Sequence, residues 1–221
     1  MCGIIGYIGK KEALPILLDG LRRLEYRGYD SAGVAIQNSR NIQAVRAVGK
    51  VAVLATRCEG KKLGGTVGIG HTRWATHGKP LEKNAHPHAD CTGRFAIVHN
   101  GIIENHEELK EELKRQKHRF TSDTESEVVA HLIEEEYRRT QNFERAVQSS
   151  LRKLRGTYGL AAISSAEPGK IIAARLGAPI ALGIGEGEHF VASDAAPLLP
   201  YTRMVLYLKD GETGILTEKE Y

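Results

Sequence analysis

Met1-Cys2-Gly3-Ile4-Ile5-Gly6-Tyr7-Ile8 opens the chain, and the rest of the fold is read outward from it. Residues 4–8 are short, apolar and rich in β-branched side chains, which favours a strand over a helix. Both faces of that strand are apolar, so it needs cover on each side. The cover on one side comes next: Glu12–Leu24 places Leu14, Leu17, Leu18, Leu21 and Leu24 on one helical stripe, with Pro15 tolerated in the first turn. Further strand-like runs follow at Ala32–Ile36, Ile42–Val48, Val67–Gly70, Phe95–Val98, Gly159–Ile163, Ile171–Leu176, Ile180–Ile184, Phe190–Ala192, Met204–Leu208 and Thr213–Leu216, the last two joined by an Asp210-Gly211 turn. Helices are expected from Asn105, with Glu108 completing a capping box, to about Gln116, then over Glu125–Arg139 and Phe143–Leu154. This order predicts an α+β fold, two packed sheets with helices outside. No repeat, low-complexity segment or linker interrupts it, so residues 1–221 read as a single domain.

Composition narrows the function classes. With 41% hydrophobic and 26% charged residues the chain is ordinarily globular. No apolar run is long enough to span a bilayer, and Lys10 and Lys11 follow the first apolar stretch where a signal peptide needs its charge first. Cys2, Cys58 and Cys91 cannot make a disulfide framework, which fits a reducing cytoplasm. The net charge of +4 is interleaved, most densely from Glu107 to Arg119, and makes no one-signed patch of the kind nucleic acid requires.

Three segments carry chemistry. Cys2, once Met1 is removed, holds a thiol of ordinary pKa about 8.5 and an α-amine of about 7.7–8.0 on one residue. Such an amine is partly neutral at physiological pH and can take the thiol proton, so one residue supplies nucleophile and base. As a lone cysteine at a strand start it is equally well a small buried hydrophobe. Gly70-His71-Thr72-Arg73-Trp74-Ala75-Thr76-His77-Gly78 is a polar loop leaving a strand. Arg73 there suits a carboxylate or a structural ion pair, with Thr76 and His77 as further hydrogen-bonding groups and Trp74 as an apolar cover or a packing residue. His99-Asn100-Gly101 lies where a strand is expected to end. It reads as a turn, or as the Asn100 amide and Gly101 N–H aimed at a developing oxyanion. Arg27, in Glu25-Tyr26-Arg27-Gly28-Tyr29-Asp30, either faces such a site or pairs with Asp30. His71, His77, His86, His88, His99 and His106 cluster in sequence, but no Cys-x-x-Cys, His-x-x-x-His or His-Glu-x-x-His spacing accompanies them. In an extended His86-Pro87-His88 the two rings point to opposite sides. No metal and no cofactor is expected.

These segments together resemble the class II glutamine amidotransferases, in the form of the glutaminase domain of glucosamine-6-phosphate synthases. The likeness rests on Cys2-Gly3-Ile4, Glu25–Gly33, His71–Gly78, Asn84-Ala85-His86-Pro87-His88 and Val98–Asn105. Leu154–Gly159 and Ala192-Ser193-Asp194 extend it over nearly the whole chain. The resemblance implies the four-layer αββα N-terminal-nucleophile fold and hydrolysis of the glutamine side-chain amide to glutamate and ammonia. It implies Cys2 as nucleophile through a thioester, Asn100 and Gly101 as oxyanion hole, and Arg73 on the glutamine α-carboxylate with Thr76 and His77 helping. Trp74 lies on the loop that closes over glutamine and gates the ammonia path, and Arg27 supports. The family's Asp for the α-amine corresponds here to Glu125, in Ser122-Asp123-Thr124-Glu125, with Asp123 as a nearby substitute. A sugar-isomerase region that binds fructose 6-phosphate follows in the family, which also leaves room for a homodimer. Tyr221 precedes any such region, so the expectation is a fragment or a stand-alone relative. Amidophosphoribosyltransferases and asparagine synthetases begin with the same cysteine but lack this set of motifs. Another N-terminal-cysteine amidase, or a binding domain that has lost activity, stands as the alternative.

Overall fold

The computed structural model describes residues 2–39, 41–74 and 79–221. Its regular elements are β1 (Gly3–Ile8), α1 (Ala13–Leu24), β2 (Ser31–Gln37), β3 (Ile42–Val48), α2 (Val51–Cys58), β4 (Val67–Arg73), β5 (His88–Ala89), β6 (Phe95–Ile103), α3 (His106–Arg115), α4 (Glu127–Thr140), α5 (Phe143–Leu151), β7 (Gly156–Ser164), β8 (Ile171–Leu176), β9 (Ala181–Ile184), β10 (His189–Ala192), β11 (Met204–Tyr207) and β12 (Thr213–Leu216). The strands form a seven-stranded sheet, β11-β9-β10-β1-β4-β2-β3, and a five-stranded sheet, β12-β8-β7-β6-β5.

Three apolar cores give the layer order. Ile5 and Tyr7 of β1 pack with Leu17, Leu21 and Leu24 of α1 and Leu54 of α2 on the outer face of the larger sheet. Ile4 and Ile8, the alternate residues of the same strand, meet Val98, Ala161, Ile163 and Ile171 between the two sheets. Phe95, Ile97 and Leu160 pack under α3, α4 and α5 on the far side. The result is helix, sheet, sheet, helix, as the two apolar faces of residues 4–8 require. Full burial of each such Leu or Ile contributes about 1.5–3 kcal/mol.

The structure corrects several local expectations. β6 does not end at Val98 but runs on to Ile103, with Asn100 and Gly101 paired to Gly159 and Tyr158, so Asn-Gly here is strand and not a turn. Asn105 does not cap α3 with its side chain. Its Nδ2 donates to Lys153 O and its Oδ1 accepts from Arg155 N, tying two loops together instead. The rings of His86 and His88 are not on opposite sides: the His86–Pro87 bond is cis and the ring centroids lie 4.4 Å apart. Helix α2 was not anticipated. Val51, Leu54 and Cys58 are its buried residues, a helical spacing hidden in a short β-branched run.

Candidate active site

The register of the central strands builds the site. β1 and β4 run antiparallel with Gly3 opposite Thr72, which brings Cys2 beside the end of β4 at Arg73 and Trp74. Asn100 reaches in from the facing sheet and donates from Nδ2 to the Cys2 carbonyl at 3.0 Å. Cys2, Arg73, Trp74, His86, His99, Asn100, Gly101, Thr124, Glu125 and Ser126 together line one small cavity. Six residues singled out in the sequence, Cys2, Arg73, Trp74, Asn100, Gly101 and Glu125, therefore share one cavity. Thr76 and His77 lie outside the described residues.

The thiol sits against backbone. Trp74 N donates to Cys2 Sγ at 3.3 Å, and Sγ lies 3.7 Å from Trp74 O. Burial raises the Cys2 thiol above its ordinary value, against the pull of the Trp74 N–H and the Arg73 guanidinium. Arg73 is buried, and the Trp74 indole is half exposed, standing edge-on to Tyr29 with ring centroids 5.5 Å apart. Gly28 lets the segment after α1 pass close behind: a Cβ there would stand 2.8 Å from Arg73 C and 2.9 Å from Trp74 N.

Asn100 is held from its other end. Its Oδ1 accepts from His71 Nε2 at 2.9 Å, and the same nitrogen lies 3.1 Å from His99 O. Both partners accept only, so Nε2 carries the proton. Burial lowers the His71 pKa to about 3, so the ring is a neutral donor at physiological pH. Gly101 has φ +124°, and a Cβ there would stand 2.2 Å from Thr157 O, so only glycine fits. His71 lay in the sequence motif without a role; its function shows only through the contact with Asn100, which no spacing encodes.

Glu125 is placed by a polar strap, residues 121–127, that leads into α4. Thr121 N, Ser122 N and both hydroxyls donate to the Glu127 carboxylate at 2.7–2.9 Å. Thr124 Oγ1 meets His88 Nε2 at 3.0 Å, and Ser126 Oγ meets His99 Nδ1 at 2.8 Å. Glu125 is thereby buried at the cavity wall, where its charge acts on both Cys2 and Arg73. Asp123 is not a substitute for it: its carboxylate is exposed and pairs with Lys83 Nζ at 2.8 Å.

Arg27 does not line this cavity and its ion pair is with Asp194, at 2.9 Å. It also donates to Ser193 O at 3.3 Å, while Ser193 Oγ accepts from Ile4 N, so Arg27 braces the strand that presents Cys2. A second cavity, about 320 Å³, is walled by Arg27, Ile102, Thr157, Gly177, Ala178 and Pro179 and touches the first at Cys2, Asn100 and Gly101.

The similarities of the chain to known proteins agree with this geometry. It is 52% identical to the glutamine–fructose-6-phosphate aminotransferase (isomerizing) of Thermococcus kodakarensis, over all of this chain and 37% of that protein. It is 50% identical to the corresponding protein of Chlorobaculum tepidum, again over all of this chain and 37% of the relative. The chain thus spans little more than a third of the curated relatives it matches. A solved glutamine phosphoribosylpyrophosphate amidotransferase from B. subtilis, complexed with ADP and GMP, aligns at a TM-score of 0.78 and 26% identity over 99% of this chain and 49% of that one. A structure described as the allosteric regulatory enzyme of purine biosynthesis aligns at 0.84 and 28% identity, over 98% and 47%. The sequence model of the glutamine amidotransferase domain matches residues 71–200, more than half of the chain and most of the cavity lining, and the chain belongs to that family.

Proposed function

We propose that the chain hydrolyses the side-chain amide of glutamine with Cys2 as nucleophile, and that in a longer protein the ammonia passes to fructose 6-phosphate for glucosamine 6-phosphate synthesis. One observation carries the first part. A thiol, a guanidinium, a carboxylate and an amide donor line one cavity, which is a complement to an amino acid with a reactive side chain. Arg73 takes the α-carboxylate and Glu125 the α-ammonium. Sγ of Cys2 attacks the side-chain carbonyl carbon, and the thiol proton moves to the α-amine freed by removal of Met1. The Asn100 amide and Gly101 N–H receive the oxyanion. The tetrahedral adduct expels ammonia, taking the proton back from the ammonium, and leaves a thioester that water hydrolyses to glutamate. Trp74 covers the site, and the roles of Thr76 and His77 in holding glutamine rest on the family resemblance alone. The second part rests on the likeness to glutamine–fructose-6-phosphate aminotransferases, and the sugar-phosphate acceptor belongs to the region those relatives have beyond this chain. Among the described residues no helix is long and apolar enough to cross a membrane, and the cysteines are unpaired, which supports a reducing cytoplasm.

Intact-mass analysis and peptide mapping after treatment with an electrophilic glutamine analogue tests the reading. The expected result is loss of Met1 and one label on Cys2. Labelling at Cys58 or Cys91 instead would overturn it.

Two variants probe the walls of the site. Glu125→Gln removes the charge that meets the ammonium, and a charge-assisted hydrogen bond of about 1.5–3 kcal/mol is worth roughly 10–100-fold in affinity. The KM for glutamine should rise by about that factor with kcat largely kept, and an unchanged KM rejects the assignment. Gly28→Ala forces the backbone of Arg73 and Trp74 away from Cys2. A displacement near 1 Å costs on the order of 100-fold in turnover. Steady-state kinetics at wild-type rates would show that the segment behind Arg73 yields without moving the site.

A further inference from the structure

Away from the cavity, four side chains from three segments turn one ligand atom each toward a common centre. Cys91 follows β5, His118 follows α3, and His131 and Glu134 lie on α4, one turn apart. The two Nδ1 atoms are 3.3 Å apart. Cys91 Sγ lies 3.8 Å from His118 Nδ1 and 3.5 Å from His131 Nδ1. Glu134 Oε2 lies 3.1 Å from His118 Nδ1 and 3.9 Å from His131 Nδ1. All four atoms fall within 4.8 Å of one another. Tetrahedral zinc with bonds of about 2.0–2.3 Å sets its ligand atoms about 3.3–3.6 Å apart, the middle of this range.

The outer atoms of the same side chains are arranged as a metal site needs. His118 Nε2 faces Glu135 Oε2 at 3.4 Å, and His131 Nε2 faces Glu127 Oε1 at 3.6 Å. His118 Nε2 thus has a carboxylate within hydrogen-bond distance and His131 Nε2 faces one just beyond it, an arrangement that favours protons on the Nε2 atoms and leaves Nδ1 to a metal. Glu134 Oε1 pairs with Arg138. Arg119 N donates to Cys91 Sγ at 3.2 Å, support that suits a thiolate. The side chains of both histidines and of Glu134 are at most 1% exposed, whereas Cys91 is at the surface and leaves a way in. One sulfur, two imidazoles and one carboxylate select zinc over calcium or magnesium, which take oxygen ligands.

We propose that Cys91, His118, His131 and Glu134 form a closed, structural zinc site that fastens the β5–β6 turn and the end of α3 onto α4. The expectation of no metal, drawn from sequence, rested on short ligand spacings. Here the ligands are distant in sequence except for His131-x-x-Glu134, and the fold alone assembles them. Four protein ligands leave no open position, so the ion has no part in the glutamine chemistry. By holding α4 it steadies the strap that carries Glu125.

The test is metal analysis of the 221-residue chain loaded with zinc and freed of loose ion by gel filtration. One zinc per chain is expected, lost on chelation with a drop of several degrees in melting temperature and restored by zinc. Cobalt in place of zinc should give a thiolate-to-metal charge-transfer band. Cys91→Ser, a conservative change at an accessible position, should lose that band and the stoichiometric zinc. Its circular dichroism should stay native, and its melting temperature should no longer respond to chelator. A wild-type chain that retains no zinc and melts identically with and without chelator would reduce the cluster to hydrogen bonds among a thiol, two imidazoles and a carboxylate. Equal zinc retention by Cys91→Ser would equally overturn the site.

Discussion

Replacing Cys2 by Ala should reduce glutamine hydrolysis by about 10⁵-fold or more, the scale seen when a covalent nucleophile is removed. Glutamine binding, measured by calorimetry, should survive because Arg73 and Glu125 are untouched. The reason the loss is so complete lies around the sulfur. Among the described residues Sγ meets only the backbone of Trp74, and burial makes the thiolate scarce at neutral pH. A base is therefore required, and the imidazoles described near the cavity are poor candidates. His99 engages Ser126 Oγ and the Thr157 carbonyl, and burial lowers its pKa. His71 donates to Asn100, and although neither ring nitrogen of His86 has a hydrogen-bond partner among the described residues, burial holds its pKa well below the ordinary value and makes it a weak base. That supports the proposed base, the amine of Cys2, which exists only when Met1 is gone. Protein that retains Met1, identified by intact mass, should therefore be folded and inactive. Full turnover from it would remove the amine from the mechanism, and wild-type turnover from Cys2→Ala would remove the nucleophile.

Much of this was legible in the sequence where the signal is local. The doubly apolar run at 4–8 implied cover on both faces, and the leucine stripe of Glu12–Leu24 supplied one of the two covers. Cys2 stood out by its place directly after Met1, Arg73 because a polar loop with a guanidinium is costly to bury without a purpose, and Asn100 because its amide beside the Gly101 N–H suits an oxyanion. What stayed hidden depends on contacts across the fold. Arg27 finds Asp194, far along the chain, in preference to Asp30 in its own motif. Asn100 sits inside a strand because β7 pairs with it, although Asn-Gly by itself signals a turn. Asn105 gives up its capping role for two loop carbonyl and amide partners. Glu125 was marked by resemblance alone; its burial beside Arg73 follows from the strap that Glu127, His88 and His99 hold.

Asn100→Ala is expected to lower kcat by about 10²–10³-fold, equivalent to 2.7–4 kcal/mol for one oxyanion donor, with the KM for glutamine little changed. The geometry carries the argument one residue further, to His71. An amide side chain can present either its oxygen or its nitrogen to the reacting centre, and only the nitrogen stabilises an oxyanion. The Nε2–H of His71, 2.9 Å from Asn100 Oδ1, fixes the choice by binding the oxygen. With the ring's pKa pressed down to about 3, that donor persists at neutral pH and does not titrate with the reaction. His71→Phe keeps a planar ring against His86 but deletes the donor. It should cost roughly tenfold in kcat, the worth of about 1.4 kcal/mol in amide orientation, without moving KM or the pH profile. The two changes act through one amide, so the double variant should be no slower than Asn100→Ala alone. If the losses multiplied instead, His71 would be acting through some route other than the orientation of Asn100. If His71→Phe shifted the pH profile, the ring would be taking part in proton transfer after all.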